Sequence, residues 1–320
     1  MKTILYHSPC PDGTAAALAA HMRLGDDAEY VGVNYGQPVP EIPDGSDVWI
    51  LDFSYPASVL LSLARAMKRV TVLDHHATAE KDLSPEAFRA LGVETATHSD
   101  GFHVVSKPGF NPMLIHFDMS KSGAVLAFEH FHPGTEVPPF FHYVQDRDLW
   151  RFELPESRDF SAGLRIYPMT IKGYEAAFTE EIQYVMCSGT IALNVINQAV
   201  DAMCKNVRCV TLAQAITNSG VFCDASIEFH VPIALDDMFH QSPGLVWSAP
   251  CANATVYFSE VGEKLLELYP HAQFSAYYFD RADGKRQWGL RSRPEFDCSV
   301  IAKAFFGGGH KCASGFTQQL

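Results

Sequence analysis

The stretch Val70-Thr71-Val72-Leu73-Asp74-His75-His76-Ala77 decides how this chain is read. A short, apolar, β-branched run is a buried strand. This one stops in a carboxylate followed by two imidazoles. A buried strand has no structural need for that ending. Either Asp74, His75 and His76 are metal ligands held at a strand tip, or the triplet is a turn without chemistry.

The segments upstream separate the two readings. Residues 3–6 read as a first strand, His7-Ser8-Pro9-Cys10-Pro11-Asp12-Gly13 as a loop, and residues 14–24 as a helix. Residues 47–51 form a second strand pattern that ends in Asp52. Ser54 then offers a cap for a helix carrying Leu60, Leu63, Ala64 and Met67 at helical spacing. Strands alternating with helices predict an α/β fold with a mainly parallel sheet. All three strands end in residues of metal-ligand type: His7, Cys10 and Asp12; Asp52; Asp74, His75 and His76. In such sheets ligands bind beyond the carboxyl ends of the strands. One aspartate after a strand is ordinarily a cap or a turn residue. Three matching strand ends predict a clustered metal site.

Further along, residues 98–117 read as an irregular loop whose His98, His103 and His116 have no ligand spacing and are expected at the surface. An apolar, helix-like run ends in Asp146 and Asp148 around Arg147. It is either a salt-bridged helix end or, given the cluster upstream, the source of a further metal carboxylate, for which Asp146 is taken. Residues 161–206 look helical and read as a connector. From Val207 the texture changes to short strands, at 209–212, 220–223, 254–258 and 274–279, with a hairpin signal at Asp283-Gly284. Near the end, Arg291-Ser292 follows a strand and Asp297 caps a helix. Gly307-Gly308-Gly309-His310 comes after that helix. This glycine run is either a turn and helix C-cap or a nest of inward amides for an anion, to which His310 and Arg291 would add charge-assisted bonds. The expected organisation is a first domain over 1–160 that carries the metal-ligand cluster, a helical connector over 161–206 and a smaller α+β domain over 207–320.

Net charge is −13 across 320 residues. Long duplex nucleic acid is held by cations neutralising phosphates, so an acidic chain is a poor general binder of that kind. It can still hold a small anionic substrate if cations or metals line one cleft, or the acidity serves solubility alone. Apolar runs such as 48–53 and 191–196 are too short to span a membrane, and none is expected to. The first residues enter a strand pattern with no signal-peptide character, and the eight cysteines include no CxxC pair. A reduced, cytoplasmic setting is expected. Oligomeric state is open, a homodimer included.

Taken together, these residues resemble the DHH phosphoesterase superfamily, in the branch with a C-terminal DHHA1 domain. Asp74-His75-His76 is similar to the signature triplet, and Cys10-Pro11-Asp12-Gly13 to the first motif, usually D-x-D-G. Asp52 matches the second-motif aspartate and Asp146 fits the fourth. Arg291-Ser292, Gly307-Gly308-Gly309-His310 and Ala313-Ser314-Gly315 resemble the DHHA1 signature, and the motifs run in order from His7 to Phe316.

The resemblance implies a Mn²⁺-preferring phosphoesterase with a two-domain cleft, the metal-binding domain over 1–160 and the substrate domain over 207–320, with Mg²⁺, Co²⁺, Zn²⁺ and Fe²⁺ as other candidate ions. Asp52 would bridge two metals, and Asp12, His75 and Asp146 would complete one of the sites. His76 would face the scissile phosphate, Asp74 would support the ligands, and Arg291, Ser292, Gly308, Gly309 and His310 would bind substrate. One departure stands out. Cys10 replaces the first aspartate of the first motif, and the upstream histidine is displaced by one position to His7. These two would serve the other metal, which a thiolate would pull towards Zn²⁺ or Fe²⁺; a neutral Cys10 would be a spectator. The expected activity is hydrolysis of short single-stranded oligonucleotides or dinucleotides by metal-activated water. Alternatives are a phosphomonoesterase for a small nucleotide such as a 3′,5′-bisphosphate, or a non-catalytic nucleotide-binding protein on the same scaffold.

Overall fold

A computed structural model of the chain describes residues 1–97, 102–106, 109–216, 222–230 and 246–320. Two compact units divide it, Met1–Leu193 and Asn194–Leu320.

In the first unit the chain runs β1 (Lys2–His7), α1 (Pro11–Leu24), β2 (Ala28–Val33), β3 (Asp47–Leu51), α2 (Ala57–Ala66) and β4 (Arg69–Asp74). It continues through α3 (Ala77–Asp82), α4 (Pro85–Ala90), β5 (Glu94–Thr97), β6 (His103–Ser106) and β7 (Met113–Phe117). Helices α5 (Gly123–Phe131), α6 (Pro139–Asp148), α7 (Ser157–Leu164), α8 (Ile171–Thr179) and α9 (Ile182–Met203) follow. The sheet order is β2-β1-β3-β4-β7-β6-β5. The first five of those strands are mutually parallel, and β6 and β5 extend the edge antiparallel.

Alternate residues of each parallel strand enter different cores. Ile4, Leu51 and Leu73 pack with α1 and α5, while Leu5, Ile50 and Val72 pack with Leu60 and Leu63 of α2. Both faces of the sheet are therefore covered, and the strands read as continuous apolar runs for that reason. The chain leaves β1 for β2 on one side and returns to β3 on the other. The strand order thus reverses between β1 and β3, the place where α/β sheets open a crevice beyond their strand ends.

The second unit holds β8 (Arg208–Ile216), β9 (Phe222–His230), β10 (Val246–Asn253), α10 (Phe258–Leu268), β11 (Phe274–Asp280), β12 (Lys285–Ser292), α11 (Ser299–Ala304), β13 (Gly308–His310) and β14 (Ala313–Gln319). Its sheet order is β13-β14-β12-β11-β10-β8-β9, antiparallel except for the β10–β11 pair. Trp288, Leu290, Phe274, Ile301 and Phe316 centre its core.

Several local expectations change. The boundary between the units falls inside α9, so α7, α8 and the start of α9 belong to the first unit. Residue 54 does not cap α2, which starts after Pro56. The loop expected over 98–117 contains β6 and β7, and His103 and His116 are half-buried, His116 stacking on Phe102 at 4.8 Å. His98, with the rest of 98–101, lies outside the described residues, as do residues 220–221 of an expected strand. Residues 254–258 are not a strand: Tyr257 turns to φ 54° and α10 begins at Phe258. β-Branched and aromatic composition there was outweighed by the left-handed turn that starts the helix.

Candidate metal centre

The ends of β1, β3 and β4 meet at the switch point. After β1, Cys10 is the residue preceding α1, and its carbonyl accepts from the Thr14 amide at 2.9 Å and the Thr14 hydroxyl at 2.7 Å. Gly13 permits this tight start, because a Cβ there would stand 2.2 Å from the His7 carbonyl oxygen. After β3, Asp52 adopts φ 63°, a left-handed conformation costly for a non-glycine residue. After β4, one oxygen of Asp74 accepts from the His75 amide at 2.7 Å and from His76 Nδ1 at 2.6 Å. That fixes the orientation of the histidine pair.

A fourth contribution comes from the start of α5. The amides of Gly123 and Ala124 donate to the two oxygens of Asp12, at 2.6 and 3.1 Å. Asp12 therefore compensates the positive end of that helix. A Cβ on Gly123 would lie 2.6 Å from the Asp52 Cβ and 2.9 Å from an Asp12 oxygen. Only glycine lets the helix come this close.

Three carboxylates surround one imidazole nitrogen. His75 Nε2 lies 3.2 Å from Asp52 Oδ1, 3.5 Å from Asp148 Oδ2 and 3.6 Å from Asp12 Oδ2. Asp52 turns its other oxygen to His7 Nδ1, 3.3 Å away. Asp12, Asp52 and His75 are buried. Three overlapping ligand groups result: His7, Cys10 and Asp52; Asp52, His75 and His76; Asp12, His75 and Asp148.

The electrostatics follow from burying acids together. Burial first, then the charges of Asp148 and Asp52, push Asp12 well above the usual carboxylate range. Burial also raises Asp148. Burial alone would raise Asp52, but its contacts to His7 and His75 hold it below that range. Burial opposes charge on His75, yet the bond to Asp52 and the charges of Asp148 and Asp12 raise it to about 10. Burial likewise opposes charge on His76, and Asp74 overrides it upward. Burial, followed by the Asp52 and Asp148 charges, keeps the Cys10 thiol protonated well past its ordinary range.

Does this donor set suit a divalent cation? Ligand bonds of about 2.0–2.2 Å put neighbouring ligand atoms about 3.0–3.5 Å apart. The contacts around His75 Nε2 and between Asp52 and His7 are close to that spacing. Moreover His7 Nδ1 and Asp52 Oδ2, although neighbours, are buried without a hydrogen bond of acceptable geometry. Buried polar atoms are nearly always satisfied, and a cation between these two would satisfy both. The residues fit one or two divalent ions, and Asp52 belongs to two of the three groups.

Of the residues singled out in the sequence, His7, Cys10, Asp12, Asp52, Asp74, His75 and His76 are brought together. Asp146 is turned elsewhere: its carboxylate accepts from the amides of Glu153 at 3.0 Å and Leu154 at 3.2 Å, and its carbonyl from the Arg151 amide at 2.9 Å. It holds a turn in which Trp150 and Phe152 have φ of 55° and 52°. Asp148, two residues on, is the one beside His75. In the second unit, Arg291 donates to the Leu290 carbonyl and to the Ser259 hydroxyl, at 2.9 and 2.7 Å. The Ser292 hydroxyl donates to the Phe296 carbonyl at 2.7 Å. Gly308, Gly309 and His310 form the edge strand β13, paired to β14, rather than a turn.

Two residues escaped the sequence reading. Asp148 was visible as the second acid of Asp146-Arg147-Asp148, but nothing local selects between them. Tyr35, after β2, places its ring 4.7 Å from that of His7 and 5.8 Å from that of His76. Its only signal was an Asn-Tyr-Gly turn after an apolar strand.

No protein-family model matches the chain. It is 22% identical to uncharacterized protein R106 of Acanthamoeba polyphaga mimivirus, over 98% of this chain and 67% of that protein. Among solved structures, an uncharacterized protein from Helicobacter pylori G27 superposes with TM-score 0.34 and 13% identity, covering 99% of this chain and 92% of that one. The pGpG-specific phosphodiesterase PggH from Vibrio cholerae superposes with TM-score 0.45 and 11% identity, covering 100% and 93%. Likenesses this distant assign no function to the chain.

Proposed function

We propose that the protein is a metal-dependent phosphoesterase of the DHH type, hydrolysing phosphodiester bonds in short single-stranded oligonucleotides or dinucleotides. One observation carries the reading: buried carboxylates and imidazoles converge at a switch point, with His7 Nδ1 and Asp52 Oδ2 left unsatisfied where an ion would sit. The resemblance of the motifs supports the reaction class, and the net charge of −13 favours short substrates over long ones.

His7, Cys10 and Asp52 would hold one ion, and Asp12, Asp52, His75 and Asp148 the other, with Mn²⁺ the expected metal. Bound there, the ions would supply the Lewis acidity that lowers the pKa of a water and neutralises phosphate charge. The protein's own part is positional. Asp74 keeps Nδ1 of His76 as a donor, so a protonated His76 presents Nε2–H to the charge that develops on phosphorus oxygens. The same carboxylate stabilises that imidazolium, as in other Asp–His pairs. Arg291, Ser292, Gly308, Gly309 and His310 are proposed as substrate contacts; Arg291 has five N–H donors, of which the Leu290 and Ser259 contacts use two.

The test is a hydrolysis panel with and without Mn²⁺, alongside bound-metal analysis. It holds a labelled dinucleotide, longer RNA and DNA strands, a 3′,5′-bisphosphate and a cyclic dinucleotide. Turnover of the dinucleotide with Mn²⁺ is expected. Monoester-only turnover would make the protein a nucleotide phosphatase, and no turnover with metal bound would leave a nucleotide-binding protein.

A further inference from the structure

A fourth strand end reaches the cluster. Strand β2 pairs parallel with β1, Val33 opposite His7, and the Ser8 amide donates to the Val33 carbonyl at 2.9 Å. The chain leaving β2 therefore emerges beside His7. It turns at once: the Gln37 amide donates to the Asn34 carbonyl at 3.1 Å, and Gly36 takes φ 79°. That is the hydrogen bond and the glycine position of a type II turn, with Tyr35 at its first corner. Side chains brace it further. The Tyr35 amide donates to Asn34 Oδ1 and the Asn34 amide to Gln37 Oε1, both at 2.8 Å. Such bracing removes freedom from a short exposed turn, whose one large side chain is Tyr35.

The tyrosine is used in a particular way. Its ring meets those of His7 and His76 edge-on, at interplanar angles of 65° and 75°. It thereby spans a histidine from the β1 end and a histidine from the β4 end. Yet 53% of the residue stays exposed, so the ring closes neither core of the unit. An ordinary phenol, with a pKa of about 10, is protonated at neutral pH, so its hydroxyl is a donor. No hydrogen bond of that hydroxyl to a described residue is found. A hydroxyl without a protein acceptor, on a ring set against His7 and His76, suits an anionic ligand that arrives with the cation.

We propose that Tyr35 is a phosphate-binding residue: its hydroxyl donates a hydrogen bond to an oxygen of the substrate's phosphoryl group beside His7 and His76. The assignment rests on the phosphoesterase reading for the identity of the anion, and a binding measurement separates the two. Inorganic phosphate binding to the Mn²⁺-loaded protein is measured by calorimetry for wild type, Tyr35→Phe and Tyr35→Ala, with Mn²⁺ affinity, thermal midpoint and dinucleotide hydrolysis in parallel. Tyr35→Phe, which keeps the ring, should weaken phosphate binding about 10- to 100-fold, the usual range for a hydrogen bond to a charged group. Its Mn²⁺ affinity and thermal midpoint should match wild type. Wild-type phosphate binding by Tyr35→Phe overturns the assignment, and if Tyr35→Ala alone is impaired, the ring merely packs on His7. Weakened Mn²⁺ binding by Tyr35→Phe also overturns it, since the hydroxyl then serves the ion. If wild type binds phosphate but hydrolyses no ester, the phosphoesterase reading fails while Tyr35 is still judged by binding; if wild type binds no phosphate, both fall.

Discussion

The strand ends of the first unit and the arginine–glycine segment of the second are both polar, and they differ in how far their polar groups are met. Around Asp52 the protein buries acids against one another and leaves His7 Nδ1, Asp52 Oδ2 and Asp74 Oδ2 without hydrogen bonds. Around Arg291 the donors go to Leu290 and Ser259, and Ser292 is spent on Phe296. Among the described residues, every buried side-chain polar atom without a partner lies in the first unit. Unmet polar atoms cost stability unless something else meets them. Three of these atoms, on His7, Asp52 and Asp74, stand at the strand ends, where a cation would meet them, while the contacts of Arg291 and Ser292 hold the second unit together.

The sharpest attempt to break this contrast is His75→Ala. It removes the nitrogen on which three carboxylates converge and should abolish metal retention, lowering turnover by about 10³-fold or more, on the scale of losing a group central to catalysis. Near-normal Mn²⁺ content after gel filtration, with metal-dependent turnover, would refute the site. Next comes the pair Asp148→Asn and Asp146→Asn. The first should weaken Mn²⁺ binding by about 10- to 100-fold, as expected for weakening a ligand or its close support. The second should leave Mn²⁺ affinity intact and lower stability by about 1–3 kcal/mol, the cost of weakening an acceptor of two amides; denaturant titration and Mn²⁺ binding measure both. The reverse pattern would return the ligand role to Asp146.

A smaller effect is the pH dependence of Mn²⁺ binding. With His75 raised to about 10 in the metal-free protein, its nitrogen is protonated at pH 7 and must lose that proton to bind an ion. Affinity should therefore rise with pH by about tenfold per unit, flattening above the His75 value, with at least one proton released per ion at neutral pH. Calorimetry in buffers of differing ionisation enthalpy between pH 6.5 and 8.5 reads the release; none would mean that His75 is not a ligand. The smallest effect is expected at Arg291. Arg291→Ala should keep metal bound and raise KM by about tenfold or less, within the worth of one charge-assisted contact. Loss of metal there would blur the contrast between the two regions.

What the sequence made legible was local. Asp52 and the Asp74-His75-His76 triplet could be read because each directly follows a short apolar run, and a strand's end is set by the residues themselves. The two-domain α/β and α+β textures were legible for the same reason. Asp146 and Asp148 could not be separated, because two residues apart on one helix they point to different sides, and the helix phase is fixed by packing. Tyr35 was hidden because its place depends on β2 lying beside β1, a pairing between distant segments. The pairing of the Gly307–Gly309 run was hidden in the same way. Its glycines allow β13 to close on β14, a Cβ at Gly307 falling 2.1 Å from the Gly315 oxygen, and that partner is invisible in a local window.

Asp12 and Gly123 have a consequence for how this protein can change. The aspartate caps α5 and reaches into the ligand group at once, and the glycine exists to let that happen. A longer acid at 12 would push the helix away, and any side chain at 123 would push the acid away. Neither position can drift alone. Across divergent copies of this fold the two, separated by 111 residues of chain, should vary as one character, and a copy that has lost the glycine should have surrendered the aspartate with it.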